Sequence, residues 1–278
     1  MSEYINKKYQ DIFYHPENIQ SEYKTSSPFP NMYFENFFNE IILNEVLEEF
    51  PDLSKSDEIK FDDSLQKKFA GRGEKSFGKK TKEFVHFLNS QPFLEFLQGL
   101  TGIQESILPD PYLVGGGLHE IKRDGLLKVH ADFKKHQFLG LDRRINALVY
   151  LNKNWKEEYG GHFELWDTEI KNCEKKILPN FNTLAVFSTT DFSFHGHPNP
   201  LTCPENMSRK SIALYYYSNG RPKNEINPEK SDTETLFVPR MDDKADQVAF
   251  QKPKYTARDL IKDLIPPIVV KGVRKIIK

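Results

Sequence analysis

The sequence is poor in cysteine and has no long apolar run. Its two cysteines, Cys173 and Cys203, form neither a C-x-x-C pair nor a disulfide framework. No stretch approaches the roughly 18 consecutive apolar residues that a membrane-spanning helix needs. The first residues also lack a basic and apolar leader. We therefore expect a cytoplasmic protein. Any membrane contact would be peripheral, at the inner face of the membrane.

Neither positive nor negative charge predominates in the sequence. The 39 lysines and arginines nearly balance the 40 aspartates and glutamates, so the overall charge indicates neither a nucleic-acid partner nor a strongly acidic one. The expected partner is instead an organic substrate. A length of 278 residues with 38% hydrophobic content suits one large domain, and we predict a single domain over residues 1–278.

The hydrophobic pattern changes twice along the chain and predicts an α+β fold. Residues 1–109 indicate a mainly helical flank, although the first 25 residues are polar and poorly patterned and residues 32–34 look like a short strand. Residues 110–220 contain short apolar runs between turn residues, which favour a jelly roll, or double-stranded β-helix. Strands are expected at 112–114, 118–121, 127–129, 145–151, 162–166, 184–188 and 211–217.

Residues 221–278 are predicted to be a surface wrap followed by a short helical tail. In the tail, apolar residues at helical spacing alternate with basic ones: Val270, Val273, Ile276 and Ile277 beside Lys271, Arg274, Lys275 and Lys278. A basic amphipathic helix of this kind can lie on an anionic membrane surface or against a partner. It can equally dock on its own domain with the lysines facing water.

The predicted core contains residues of types that commonly bind metal ions, at a spacing that places their side chains together. His130 and Asp132 are two residues apart, so in an extended strand they point to the same side. A later histidine, His195 or His197, would complete a set of two histidines and one carboxylate. That set leaves open positions on an octahedral ion and is the arrangement of non-haem Fe(II) oxygenases.

Arg209 opens the last apolar strand of the core. By two-residue alternation it shares a face with Ser211, Ala213, Tyr215 and Tyr217, while Lys210 points the other way. Burying a guanidinium there is unfavourable unless an anion accompanies it. Arginine suits a carboxylate partner because it can donate two parallel hydrogen bonds.

These motifs resemble the prolyl-4-hydroxylase-like branch of the 2-oxoglutarate and Fe(II)-dependent dioxygenases, particularly bacterial and phage-type members. The likeness covers roughly residues 110–220. It is carried by His130-Ala131-Asp132, Tyr150-Leu151-Asn152-Lys153-Asn154-Trp155, Gly160-Gly161, Ser193-Phe194-His195-Gly196 and Arg209-Lys210-Ser211.

The resemblance implies a role for each matching residue. His130, Asp132 and a late histidine would hold the iron; His195 is favoured because it follows an aromatic residue, and His197 is the alternative. Arg209 and Ser211 would bind the distal carboxylate of 2-oxoglutarate, and Tyr150 would hydrogen-bond the same cosubstrate. The implied cofactors are Fe(II), 2-oxoglutarate and O2, with ascorbate as an optional reductant.

The implied reaction hydroxylates an unactivated carbon and yields succinate and CO2. Related halogenases lack the metal carboxylate, so Asp132 favours hydroxylation. The substrate is left open between a peptidyl proline and a small, sugar-linked or lipid-linked metabolite. Two other functions compete: a non-catalytic metal-binding jelly-roll module, and a membrane-surface assembly protein that works through its tail.

Overall fold

The computed structural model describes residues 2–55 and 58–251. Six α-helices are present in this part of the chain: α1 Gln10–Tyr14, α2 Gln20–Thr25, α3 Glu40–Glu48, α4 Lys79–Leu88, α5 Gln91–Thr101 and α6 Lys244–Ala249. Its thirteen strands are β1 Asn31–Glu35, β2 Ile59–Asp62, β3 Gln66–Ala70, β4 Leu108–Pro109, β5 Gly117–Lys122, β6 Leu126–Ala131, β7 Asp142–Tyr150, β8 Phe163–Trp166, β9 Cys173–Ile177, β10 Thr183–Ser188, β11 His195–His197, β12 Ser208–Ser218 and β13 Leu236–Phe237.

The strands form one antiparallel sheet in the order β1-β10-β7-β12-β5-β3-β6-β11-β8-β9. The sheet curls into a nearly closed barrel, and the predicted α+β fold with a jelly-roll core and flanking helices is confirmed. β12 is an interior strand of the sheet, since it pairs with β5 on one side and with β7 on the other. Side chains alternate across each strand, so one face of β6, β7, β11 and β12 looks into the barrel.

The helices of the flank pack on the outside of the barrel through aromatic side chains. Asn39 begins α3 by accepting a hydrogen bond from the backbone N–H of Ile41 at 3.0 Å. Phe93 of α5 contacts Tyr216 of β12, whose hydroxyl donates to the carbonyl of Leu88 at 2.9 Å. The flank therefore shares a continuous apolar core with the sheet.

The first 25 residues are better ordered than their polar composition indicated. They contain α1 and α2, and they bury Tyr9, Phe13 and Tyr23 against the flank. The hydroxyl of Tyr23 lies 3.0 Å from that of Ser188 in β10. Single aromatic anchors in a polar segment do not produce a helical period, which is why the sequence pattern missed them.

One strand was predicted wrongly, and six were not foreseen. Residues 112–114 form a turn because the carboxylate of Asp110 accepts the backbone N–H groups of Tyr112 and Val114 at 2.8 and 2.7 Å. The unforeseen strands are β9, the β2–β3 hairpin and the short strands β4, β11 and β13. The hairpin adds sheet to the predicted helical flank, and β3 lies between β5 and β6 in the barrel.

The segment after β12 returns to the barrel and buries charged side chains. Asp246 of α6 is fully buried, where it accepts hydrogen bonds from Lys128 of β6 at 2.7 Å and from two nitrogens of Arg240 at 2.8 Å. The expected tail over 260–278 lies outside the described residues. No helix within the described residues is long and apolar enough to cross a membrane.

The Lys128–Asp246 pair generates a stability prediction. Asp246→Ala leaves the ammonium of Lys128 buried without its carboxylate, and breaking such a pair costs about 3–5 kcal/mol. We expect the free energy of unfolding in urea to fall by this amount. The matched control is Asp242→Ala, since Asp242 is exposed. Equal losses in the two variants would show that the pair does not stabilise the fold.

Candidate metal centre and inner cavity

Neighbouring strands bring His130, Asp132 and His195 together inside the barrel. His195 of β11 lies directly opposite His130 of β6, and Asp132 follows the end of β6. Asp132 lies 3.6 Å from Nε2 of His130 and 3.5 Å from Nε2 of His195. One ligand atom from each residue lies within 4.8 Å of the others, so the three side chains could hold one metal ion.

Backbone carbonyls orient both imidazoles. Nδ1 of His130 lies 2.8 Å from the carbonyl of Lys128, and Nδ1 of His195 lies 2.9 Å from the carbonyl of Ser193. A carbonyl only accepts, so each Nδ1 carries the proton and each Nε2 presents a lone pair to the centre. Burial lowers the pKa of His195 to about 3, which keeps this imidazole neutral.

Two neighbours on β7 fix the carboxylate of Asp132. Arg143 and Asn146 donate to the same oxygen, Oδ2, at 2.9 and 2.8 Å. Burial alone would raise the pKa of Asp132, but the positive charge of Arg143 holds this pKa well below its usual value. The carboxylate is therefore ionised, and Oδ1 faces His130.

The structure separates the two late histidines. His195 belongs to the three-residue cluster, whereas His197 lies two residues farther along β11, opposite Leu127. Both ring nitrogens of His197 are buried, and no hydrogen-bond partner for them lies among the described residues. Burial, and then the nearby charges of Arg209 and Lys68, lower the pKa of His197 well below the usual value. His197 is a neutral imidazole in the wall of the cavity beside the cluster.

That inner cavity has a volume of about 80 Å³ and reaches Arg209. Arg209 is 6% exposed; its Nε donates to the carbonyl of Gly161 at 2.7 Å and its Nη2 to the hydroxyl of Tyr150 at 3.3 Å. Within the described residues it has no carboxylate partner. Ser211 lines the same cavity and lies opposite Tyr150.

Gly161 is required where Arg209 crosses the barrel wall. Its φ of +71° is unfavourable for other residues, and a Cβ there would lie 2.6 Å from Leu201 and 3.0 Å from Arg209. Gly160 and Gly161 thus form a turn. The carbonyl of Gly161 accepts a hydrogen bond from Arg209, and the absence of a side chain at Gly161 leaves room for the arginine.

Alternation along β12 predicted most of the cavity wall correctly. Arg209, Ser211, Ala213 and Tyr215 line the cavity, but Tyr217 does not. The register of β12 against β7 shifts between Tyr216 and Tyr217. A shift of one residue exchanges the faces of a strand, and the ring of Tyr217 lies against His136, with centroids 5.1 Å apart.

A larger cleft of about 440 Å³ adjoins the inner cavity on the solvent side. Seven residues line both spaces: Lys68, His119, Leu127, His130, Asp132, Arg143 and Tyr215. Two exposed aromatic side chains, Tyr112 and Phe138, stand at the rim with ring centroids 6.2 Å apart. The outer cleft therefore gives a bound molecule direct access to the metal centre.

Three residues that matter here were not singled out from the sequence as parts of a site. Arg143 and Asn146 lie on β7, where the face of Tyr150 could have indicated Asn146. Lys68 was missed because the β2–β3 hairpin was missed. Of the other histidines, His119 lines the cavity and lies 3.1 Å from the carbonyl of Gly115, while His162 pairs with Glu157 at 2.6 Å.

Comparison with known proteins agrees with this geometry. Residues 116–217 match the 2OG-Fe(II) oxygenase superfamily. This segment contains the three-residue cluster, Arg143, Tyr150, Arg209 and Ser211. This part of the chain is therefore similar to the 2OG-Fe(II) oxygenases, whose name records their use of Fe(II) and 2-oxoglutarate.

Three of the similar proteins are described as prolyl hydroxylases. Prolyl 3-hydroxylase OGFOD1 of Mus musculus is 34% identical over 79 residues, which cover 27% of this chain and 14% of that protein. The Pseudomonas putida prolyl-4-hydroxylase aligns with a TM-score of 0.54 at 14% identity, over 73% of this chain and 99% of that one. A Trichoplax adhaerens prolyl hydroxylase, solved with a peptide fragment of the hypoxia inducible factor oxygen degradation domain, aligns with a TM-score of 0.56 at 16% identity, over 78% and 96%. These structural likenesses show the fold.

The geometry predicts which late histidine binds metal. We expect His195→Ala and Asp132→Ala to weaken Mn(II) binding by more than about a hundredfold, since each removes a ligand atom rather than a supporting hydrogen bond. His197→Ala should retain the metal. Electron paramagnetic resonance of bound Mn(II) measures the affinity. Loss of metal in His197→Ala alone would reverse the assignment.

Proposed function

We propose that the protein hydroxylates an unactivated carbon of an organic substrate, using iron(II), O2 and 2-oxoglutarate. The observation that carries this proposal is the buried guanidinium of Arg209, which has no carboxylate partner among the described residues and faces a cavity that ends at His130, Asp132 and His195. A dianion bound between Arg209 and a metal ion would pair with the guanidinium through one end and with the metal through the other.

The cavity's chemistry fits 2-oxoglutarate. Its wall offers Arg209, the hydroxyls of Tyr150 and Ser211, and the two unpartnered ring nitrogens of His197. Buried polar atoms without partners are rare in proteins and indicate a missing ligand or water. A space of 80 Å³ holds several water-sized groups, at about 10–15 Å³ for each. One carboxylate would lie against Arg209, and the other end would face the metal.

In this proposal the chain's residues bind, orient and exclude water. His130, Asp132 and His195 hold the iron, while Arg209, Tyr150 and Ser211 hold the cosubstrate. Arg143 and Asn146 keep Asp132 ionised and oriented. Bound iron and 2-oxoglutarate would supply O2 activation, one oxygen atom passing to succinate as CO2 leaves and the other to the substrate's C–H bond.

The substrate would enter through the outer cleft. The relatives' names point to prolyl residues, so a peptidyl proline is the first substrate to test. Small, sugar-linked or lipid-linked metabolites are the second group, because the cleft's lining comes mainly from loops and the hairpin. We propose that residues 1–278 act as a single oxygenase domain in the cytoplasm.

Two rival functions lead to different measurements. A binding module that retains only the metal site would not form succinate. A membrane-surface protein would bind anionic vesicles through residues 268–278, in a salt-sensitive manner, and truncation after Pro267 would abolish that binding. Truncation should leave 2-oxoglutarate turnover unchanged if the oxygenase proposal holds.

Arg209 provides the sharpest test of the cosubstrate assignment. Removing one partner of a buried charged contact costs about 2–5 kcal/mol, so Arg209→Ala should raise the 2-oxoglutarate concentration for half-maximal succinate formation well over tenfold. Arg209→Lys should recover only part of the affinity.

Lys210→Ala is the matched control, since Lys210 lies next to Arg209 but outside the inner cavity. Circular dichroism checks that each variant folds. An unchanged 2-oxoglutarate requirement in Arg209→Ala would refute the assignment and direct attention to another cation that lines the inner cavity, such as Lys68.

A further inference from the structure

Lys68 is a cation at the boundary between the two cavities. It lies in β3, where Gln66, Lys68 and Ala70 face the outer cleft by two-residue alternation. Among these three, only Lys68 also lines the inner cavity. Lys67 points away from both spaces and is exposed, so the hairpin directs one of two adjacent lysines toward the metal centre.

Lys68 is not satisfied by the protein. Within residues 2–55 and 58–251 its ammonium forms neither a hydrogen bond nor an ion pair, and its neighbour is the ring of Phe61, 5.1 Å from Nζ. Burial lowers the pKa of Lys68 to about 8, although the charge of Asp132 partly opposes this effect. The Lys68 side chain is half-buried, so its ammonium is only partly hydrated.

The outer cleft has an excess of positive charge. Its charged lining includes Lys68, Arg72 and Arg143, whereas Asp132 is its only acidic side chain among the described residues. Arg143 already pairs with Asp132 at 2.9 Å, and a metal ion would neutralise that carboxylate further. An anion in the cleft would therefore be attracted to Lys68, and the one carboxylate in the described lining, Asp132, is already paired with Arg143.

The cosubstrate does not account for this cation. In the proposed function, one end of 2-oxoglutarate lies against Arg209 and the other faces the metal, so both of its carboxylates have partners. Lys68 is left for a third anionic group on the solvent side of the metal centre. A bound molecule that reaches the metal through the outer cleft must pass beside it.

We propose that Lys68 forms an anion subsite for the primary substrate, which carries a carboxylate or a phosphate close to the carbon that is hydroxylated. The inference rests on the proposed function and narrows its substrate class. Lys68 is a specificity residue in this scheme, since it contacts the substrate's anionic group and not the reacting carbon.

Nuclear relaxation near a paramagnetic ion tests this subsite without knowledge of the substrate. The full chain is loaded with Mn(II) and saturating 2-oxoglutarate, and two probes are titrated: inorganic phosphate, followed by its ³¹P relaxation, and acetate, followed by its ¹³C relaxation. Mn(II) without protein provides the baseline. The variants are Lys68→Met, Lys68→Gln and Lys68→Glu, with Lys67→Met as the matched control.

At least one probe should show saturable relaxation enhancement in the wild type and in Lys67→Met. A hydrogen bond to a charged group is worth about 1.5–3 kcal/mol, so Lys68→Met and Lys68→Gln should weaken this probe about tenfold or more. Lys68→Glu should abolish its binding. Tighter phosphate binding indicates a phosphorylated substrate, and tighter acetate binding indicates a carboxylate or an acidic peptide.

Other outcomes overturn the subsite. Equal enhancement in wild type and Lys68→Met would place the anion elsewhere, and no enhancement in the wild type would show that no anion binds. A loss of 2-oxoglutarate affinity in Lys68→Met, measured by calorimetry, without any change in probe binding would assign Lys68 to the cosubstrate. If the wild type binds neither Mn(II) nor 2-oxoglutarate, the proposed function itself fails.

Discussion

The ion pair between Arg143 and Asp132 is the interaction on which the rest of the site depends. A carboxylate inside a barrel is unstable unless its charge is balanced and its lone pairs are satisfied. Arg143 provides the balance from a fully buried position, with its guanidinium 3.4 Å from the ring centroid of Tyr215 and 4.5 Å from that of Phe133. The aromatic faces hold the arginine flat, so its donors point at the carboxylate.

Further buried ion pairs connect Arg143 and Asp132 to the last described segment of the chain. Lys230 donates to the backbone carbonyl of Asp132 and lies 3.2 Å from Asp191, which also pairs with Lys134 at 3.3 Å. On the other side of His130, Asp246 pairs with Lys128 of the same strand. The segment after β12 thus fixes the strand that carries His130 and the loop that carries Asp132, although it contributes no ligand atom.

The sequence predicted the parts of the site that follow from strand alternation. His130 and Asp132, and likewise Arg209 and Ser211, are two residues apart, and the sheet turns each pair toward one cavity. The choice between His195 and His197 could not come from alternation, because both histidines have the same parity. The pairing of His195 with His130 across two strands separates them, and such a register is a tertiary property.

The residues that the sequence did not reveal share a different physical origin. Arg143 sits in the pair Arg143-Arg144, and both arginines are buried with acidic partners distant in sequence, Asp132 for one and Glu105 for the other. Charged residues are usually exposed, so nothing in the sequence marked these two arginines as buried site residues. The β2–β3 hairpin was missed because its lysines and aspartates hide the alternation of Ile59, Phe61 and Phe69.

The division between the two cavities explains why family resemblance is informative about chemistry and not about substrate. The segment that matches the superfamily, residues 116–217, contains the three-residue cluster and the arginine of the inner cavity. The outer cleft shares several of those residues but also draws on parts of residues 59–73 and 112–115 and on Thr235 and Phe237, which lie outside that segment. Changes in the hairpin could therefore alter the outer cleft without disturbing the strands that carry the three-residue cluster, since Lys68 reaches the cavity from a strand that carries neither a member of that cluster nor Arg209.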